Sequence, residues 1–191
     1  ILVTGGGTGL GRSMAQRYLE LGANVVICGR REDVLKQTAE ELAKETGGEI
    51  ETVGCDVRVP DAVEAMMDKI WAKRPLDILV NNAGVGPPYL GNRIVDMPEA
   101  HFDIMLSVHV KGAFLCTKYA APAMSAQNWG RIINIGSIHG ISGGRPGLAN
   151  YATAKAGLEG FTKAASLELA PFGITVNCVA PGFVKTEMLK V

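Results

Sequence analysis

The chain carries no net charge, no long apolar run and no paired metal-binding residues, and each lack removes a class of function. Nineteen Lys and Arg offset nineteen Asp and Glu across 191 residues. Such a balance gives no electrostatic case for nucleic acid or a membrane surface as partner; a small anionic ligand held locally stays compatible with it. No stretch approaches the roughly 20 apolar residues of a membrane span. The four cysteines, Cys28, Cys55, Cys116 and Cys178, lie far apart and beside apolar residues. They read as buried, reduced thiols, because disulfide frameworks and metal sites use closer or paired spacings. Neither Cys-x-x-Cys nor His-x-x-x-His occurs, so no metal is expected. The chain opens directly on Ile1-Leu2-Val3, without a charged-then-apolar leader. A cytoplasmic location is the expectation, with an organellar leader ahead of Ile1 left open.

What is present is a globular composition, 47% apolar and 20% charged, long enough for one domain with a sizeable core. Val- and Ile-rich runs at 1–4, 24–28, 50–55, 77–80, 131–135 and 174–179 lack polar alternation, as strands covered on both faces do. Between them, apolar residues recur at helical period: Leu10, Met14, Tyr18 and Leu21; Leu35, Thr38, Ala39 and Leu42; Val63, Met66, Met67 and Ile70. Longer helices fit 100–124 and 151–169. This alternation predicts an α/β fold, a Rossmann-type doubly wound parallel sheet with helices on both faces. Residues 1–191 read as a single dinucleotide-binding domain. Ligands of such sheets bind beyond the carboxyl ends of the strands, near the point where strand order reverses.

The first strand ends in Thr4-Gly5-Gly6-Gly7-Thr8-Gly9-Leu10-Gly11. Glycines there let the backbone turn tightly and approach a pyrophosphate, whose charge then lies at a helix amino terminus. An acid about 20 residues on would bond the adenosine ribose, but the second strand ends Cys28-Gly29-Arg30-Arg31. A guanidinium grips a 2′-phosphate where a carboxylate would repel it. Arg30, with Arg31 beside it, therefore favours NADP(H) over NAD(H), against the alternative of a solvated basic turn. Asp56, followed by Val57, ends the third strand, where it touches the adenine edge or serves as a turn residue.

Tyr151 and Lys155 are four apart on an expected helix, so both side chains emerge on one face. A phenol of pKa about 10 is a poor acid or base at neutral pH, and a neighbouring ammonium is expected to lower it. Ser137, after the fifth strand, is placed to polarise a substrate carbonyl.

With these motifs in order, the chain closely resembles the short-chain dehydrogenase/reductase family from end to end. The matching parts are Gly5, Gly9 and Gly11 in TGxxxGxG form, Asn81-Asn82-Ala83-Gly84, the Ser137…Tyr151-x-x-x-Lys155 set and Pro181-Gly182. The resemblance implies hydride transfer between a nicotinamide and a carbonyl or alcohol. Tyr151 would act as acid/base, Ser137 would position substrate, and Lys155 would hold the nicotinamide ribose. Asn81 would stabilise the central strand and line the cofactor cleft, with Asn82, Ala83 and Gly84 beside the cofactor. Val184 and Thr186 would contact its carboxamide end. Substrates left open are a 3-oxoacyl thioester, a simple ketone, a sugar or a steroid. The small residues Ala152, Ala156, Gly157, Gly160 and Ala164 thin one side of the Tyr151 helix. The resemblance implies a homodimer or homotetramer through helices 100–124 and 151–169, and these small residues are consistent with it.

Three departures stand out. His109, in Val108-His109-Val110-Lys111-Gly112, occupies the place of an asparagine that in the family bends the helix and binds a relay water. A histidine offers the same donor and acceptor, so it holds that water or leaves the relay to Lys155 and solvent. Ser137 precedes Tyr151 by fourteen residues, one more than the family's common spacing, with the extra residue expected in the loop 140–147; Ser142 is the weaker candidate serine. The family also normally continues past the position of Val191 through a substrate-covering segment and a last strand. His101 and His139 are expected on the surface or in loops, with His139 near substrate as the alternative. Trp71 and Trp129 are expected at element ends.

Overall fold

The computed structural model describes residues 1–186. Six strands, β1 (Leu2–Thr4), β2 (Val25–Gly29), β3 (Ile50–Gly54), β4 (Ile78–Asn81), β5 (Gly130–Ile135) and β6 (Ile174–Val179), form one sheet in the order β3-β2-β1-β4-β5-β6. All neighbours are parallel. The chain winds outward from β1 to β3, then returns across the sheet to β4, so the reversal falls between β1 and β4.

Successive strand residues point to opposite faces, and each face carries its own core. Val3, Ile27 and Val80 pack beneath α1 (Gly9–Glu20) and α2 (Glu32–Thr46), against Ala15, Leu19, Leu35 and Leu42. Leu2, Leu79 and Ile132 face the other way, onto α3 (Pro60–Trp71), α4 (Glu99–Met105), α5 (Gly112–Ala126) and α7 (Ala149–Leu169). The face expected on α3 is buried as read, with Val63, Met66, Met67 and Ile70 all inside. On α1 the buried face is instead Gly11, Ala15 and Leu19, and Leu21 is 65% exposed at the C-cap. Small residues let that helix lie close to β1, which an apolar-period count does not register.

The long helix expected at 100–124 is real but not uniform. Between α4 and α5 the chain makes a π-helical stretch, Leu106–Lys111, that contains His109. Such a bulge widens one turn and turns its side chains, and it is frequent at functional sites. A short helix, α6 (Ile138–Ile141), follows β5. Cys28, Cys55 and Cys116 are buried and free, and Cys178 is half-buried. Among the described residues no helix is long and apolar enough to cross a membrane, and no cluster suits a metal ion.

Candidate active site

The carboxyl edge of the sheet opens on a cleft of about 370 Å³. At its floor, β1 runs into the glycine turn. Gly5 adopts φ +65°, a left-handed conformation that costs a glycine nothing. Its N–H donates to the Cys28 carbonyl at 2.8 Å. A Cβ on Gly11 would lie inside contact distance of the Gly5 carbonyl oxygen and 2.6 Å from Asn82 Nδ2. Asn82 Nδ2 donates to the Thr4 and Gly5 carbonyls at 2.9 and 3.3 Å. Thr4 Oγ1 in return accepts from the N–H groups of Asn82 and Ala83 at 3.0 and 2.9 Å. The turn is thereby locked to β4, and Thr38 Oγ1 locks it to α2 by donating to Gly7 O at 2.8 Å.

The amino end of α1 is left open. Thr8 makes no side-chain cap and the first turn holds no acid. Its N–H groups and the positive end of the helix dipole face the cleft without a competing anion, which fits a phosphate-bearing ligand. Beside it, Arg30 and Arg31 line the cleft, and no salt bridge within the described residues occupies Arg30. Asp56 is engaged elsewhere: Arg58 Nε donates to Oδ1 at 2.9 Å and Oδ2 at 3.1 Å, and Arg58 N donates to Oδ1 at 3.0 Å. The Arg58 fork holds the Asp56 carboxyl below its ordinary pKa. Asp56 therefore caps its own turn, and Arg58 offsets its charge beside Arg30.

The reactive end lies beyond β5. Gly136 N donates to Val179 O at 2.7 Å and Ile138 N to Pro181 O at 3.1 Å, so the strand end and the 181–186 segment are pinned together. Ser137 is the N-cap of α6, its Oγ accepting from His139 N at 3.2 Å. Tyr151 and Lys155 come from the first two turns of α7. Burial raises the phenol's pKa and the Ser137 hydroxyl opposes that rise. Lys155 is 5% exposed and donates from Nζ to Ile135 O at 2.6 Å; loss of solvent brings its ammonium down to about 8. The expected lowering of Tyr151 by Lys155 is not what the fold gives. Nζ is 5.6 Å from the ring centroid and turned to a backbone carbonyl, so desolvation dominates the phenol.

A family model described as short chain dehydrogenase matches residues 1–191. The chain belongs to that family. It is 39% identical to the 3-oxoacyl-[acyl-carrier-protein] reductase FabG of Aquifex aeolicus (strain VF5), over 191 residues covering 100% of this chain and 75% of the relative. Among solved structures, an actinorhodin polyketide ketoreductase with NADPH superposes with a TM-score of 0.92 at 38% identity, covering 98% of this chain and 71% of that one. An NAD+-bound xylitol dehydrogenase superposes at 0.90 and 33% identity, covering 95% and 69%.

In this short-chain dehydrogenase the residues assigned to catalysis or cofactor from sequence border this cleft with one exception, from Gly5, Thr8, Gly9, Leu10 and Gly11 through Val57, Ala83 and Gly84 to Val184 and Thr186. Asn81 does not border it. Its Nδ2 donates inward to Asn134 Oδ1 at 2.9 Å and Thr117 Oγ1 at 3.3 Å, and Asn134 Nδ2 donates to Thr162 Oγ1 at 2.8 Å. Asn81 thus joins β4, β5, α5 and α7 below the cleft. The expectation that it lines the cofactor is corrected, because adjacent strand residues face opposite ways. His139 is half-buried and borders the cleft, the alternative of the two expectations. Its ring stands edge-on to Tyr151 at 6.4 Å and to Phe183 at 5.6 Å, centroid to centroid. Ser142 is exposed and donates to Ile138 O at 2.9 Å, which leaves Ser137 alone at the strand end. Sequence reasoning missed Phe183 and Arg145, which also border the cleft, and Arg58. The run Asp56-Val57-Arg58, which is turn-forming, was the available signal for the last.

His109 is 4% exposed. Its Nε2 lies 3.2 Å from Val85 N and 3.0 Å from Val85 O, so it accepts from the first in one tautomer and donates to the second in the other. The ring is edge-on to Tyr151, centroids 5.7 Å apart. A Cβ on Gly84 would come 2.5 Å from His109 Cε1, so the glycine makes room for the ring. Burial, and then the Lys155 charge, lower its pKa from 6.5 to about 3. Between those values the unfolded chain takes up a proton that the folded chain refuses, and stability is lost as pH falls from 6.5 toward 3. Going from pH 7 to pH 5 should therefore destabilise the wild type by about 2 kcal/mol more than His109→Asn. Urea titrations of both at the two pH values measure this, and equal losses would exclude a buried neutral His109.

Proposed function

We propose that this short-chain dehydrogenase transfers a hydride between NADP(H) and the carbonyl or secondary alcohol of a ketone-class substrate. A 3-oxoacyl thioester heads the candidates, and Tyr151 moves the proton. The observation that carries the reading is one cleft with an uncapped helix amino terminus and an Arg30 that forms no salt bridge among the described residues at one end, and Ser137, Tyr151 and Lys155 at the other. When bound, the nicotinamide supplies or accepts the hydride. Every other task falls to the chain.

The N–H groups of the glycine turn and Thr8 hold the pyrophosphate. Arg30, aided by Arg31, grips the 2′-phosphate through charge-assisted bonds. Val57, Asn82, Ala83 and Gly84 wall the adenosine half, and Pro181, Gly182, Val184 and Thr186 wall the carboxamide end. Lys155 holds the ribose. Ser137 Oγ donates to the substrate oxygen and polarises the carbon. Tyr151 Oη delivers its proton to that oxygen. Burial keeps the phenol protonated, the form needed for reduction, and Lys155, near 8, is poised to return the proton at physiological pH. A relative named 3-oxoacyl-[acyl-carrier-protein] reductase and a polyketide ketoreductase neighbour support the thioester class. A second reading, a cofactor-binding protein with little turnover, draws on His109 in the asparagine position. NADPH oxidation over a panel of 3-oxo thioesters and simple ketones separates the two.

The cofactor preference has its own test. The two neighbours above carry NADPH and NAD+ respectively, so the preference rests on this chain's Arg30. Charge-assisted bonds contribute about 1.5–3 kcal/mol, so Arg30→Asp should weaken NADPH about 10- to 100-fold and spare NADH. Fluorescence titration with both nucleotides measures this; equal weakening of the two would remove the 2′-phosphate assignment.

We also read residues 1–191 as one cofactor-binding domain that pairs as a homodimer or homotetramer through helices 100–124 and 151–169. On α7, Ala156, Gly157, Gly160 and Ala164 are exposed, and Phe114 of α5 is exposed beside Phe161, centroids 6.3 Å apart. An apolar, shallow face of this kind favours close helix approach. Light scattering on the purified chain tests it, and a monomer mass at high concentration would exclude the pairing.

A further inference from the structure

We propose that Asn150 is a positioning residue: its buried amide ties the first turn of α7, and with it Tyr151, to the β4–α4 loop that walls the reactive end of the cleft. The inference rests on the reading of Tyr151 as the acid/base.

Asn150 has no solvent exposure, and its amide spans three segments. Nδ2 donates to Tyr89 O at 2.9 Å, in the β4–α4 loop, and to His101 O at 3.0 Å, in α4. Oδ1 accepts from Tyr151 N at 2.8 Å. Tyr151 N lies in the first turn of α7, where backbone donors lack a regular helical partner. The carbonyl four residues back, on Gly147, is already taken by Gly91 N at 2.9 Å, and Gly91 belongs to the same β4–α4 loop. The loop therefore occupies Tyr151's ordinary acceptor and, through Asn150, supplies a replacement.

The same loop contributes Val85 and Leu90 to the cleft, and Val85 holds the His109 ring that stands edge-on to Tyr151. Tyr89 is itself pinned by the edge of His101, centroids 5.3 Å apart. The wall of the pocket and the proton donor are thus one hydrogen-bonded body. Only a primary amide of this length satisfies it, since two donors and one acceptor are used at once. A carboxylate in its place would face two carbonyl oxygens with no proton to give, and a hydroxyl would serve at most one of them.

The glycine turn, Arg30 and the amino end of α1 lie on β1, β2 and their loops, outside this body. Loss of the amide should let Tyr151 shift relative to Ser137 while the cofactor half stays in place. A misplacement of about 1 Å can cost about 100-fold in rate.

The test uses the intact chain with Asn150→Ser, Asn150→Asp and Tyr151→Phe, on the best ketone substrate found. Asn150→Ser should fold and lower kcat at least about tenfold, with NADPH affinity unchanged by fluorescence titration. Its kcat–pH profile should shift in the limb assigned to Tyr151. Asn150→Asp should be worse than Asn150→Ser. Unchanged kcat in folded Asn150→Ser would overturn the inference. So would a kcat loss matched by an equal loss of NADPH affinity, or failure of both variants to fold, since either makes Asn150 a general stabiliser. If Tyr151→Phe is as active as wild type, the acid/base reading itself fails. If Tyr151→Phe is inactive and Asn150→Ser is not, only the Asn150 inference fails.

Discussion

Replacing Tyr151 with phenylalanine is expected to lower kcat by about 10³-fold, within the 10²–10⁴ range of a general acid, while NADPH binding persists. The substitution removes one oxygen and keeps the ring, which packs edge-on between His109 and His139. The helix and its Asn150 anchor are untouched, so the loss falls on the proton alone. Burial holds the phenol above its ordinary pKa, so at neutral pH wild-type Tyr151 is a proton donor, and no neighbour can substitute. Lys155 at about 8 faces the Ile135 carbonyl, and His109, with its pKa near 3, is neutral and lacks the acidic imidazolium proton. Steady-state NADPH oxidation with a fluorescence titration of the cofactor separates the two effects. Turnover within tenfold of wild type would assign the proton to another group. Lost NADPH binding would make Tyr151 a cofactor residue first.

Gly11→Ala should lower the thermal midpoint by roughly 5 °C and weaken NADPH as well. Two effects compete. Alanine favours a helix interior over glycine by about 1 kcal/mol. Against it, the new methyl would overlap the Gly5 carbonyl oxygen and approach Asn82 Nδ2 to 2.6 Å. Neither can retreat, since the first is backbone in a left-handed turn and the second is bonded to Thr4 and Gly5. Overpacking typically costs about 1–3 kcal/mol, and for a chain of this size each kcal/mol moves the midpoint by about 2–4 °C. The steric effect wins. Because the displaced groups form the floor of the phosphate end, affinity should fall with stability. Calorimetry with and without NADPH measures both. An unchanged or higher midpoint would mean that α1 can move off the turn.

Most of the cleft was legible because its chemistry is written in short runs that each stay within one strand-to-loop junction. The glycine turn, Arg30, the Asn81–Gly84 run, Ser137 and the Tyr151/Lys155 pair need only local spacing to be noticed. A parallel sheet then brings all carboxyl ends of its strands to one edge. Adjacent residues were harder to apportion. Asn81 and Asn82 look alike in sequence, yet the pleat sends one into the polar network under the sheet and the other to the glycine turn.

Strand and helix periodicity, the doubly wound alternation and the order of motifs were determined by the sequence alone, because they depend on neighbours a few residues away. Only the tertiary structure decided the protonation of Tyr151, the tie from His109 to Val85, the turn of His139 into the cleft and the triple hold of Asn150. Each is a matter of burial or of hydrogen bonds to segments far along the chain. Solvent exclusion raised the phenol that spacing with Lys155 predicted would fall, since a desolvation cost is set by everything packed around a group and not by its partner four residues on.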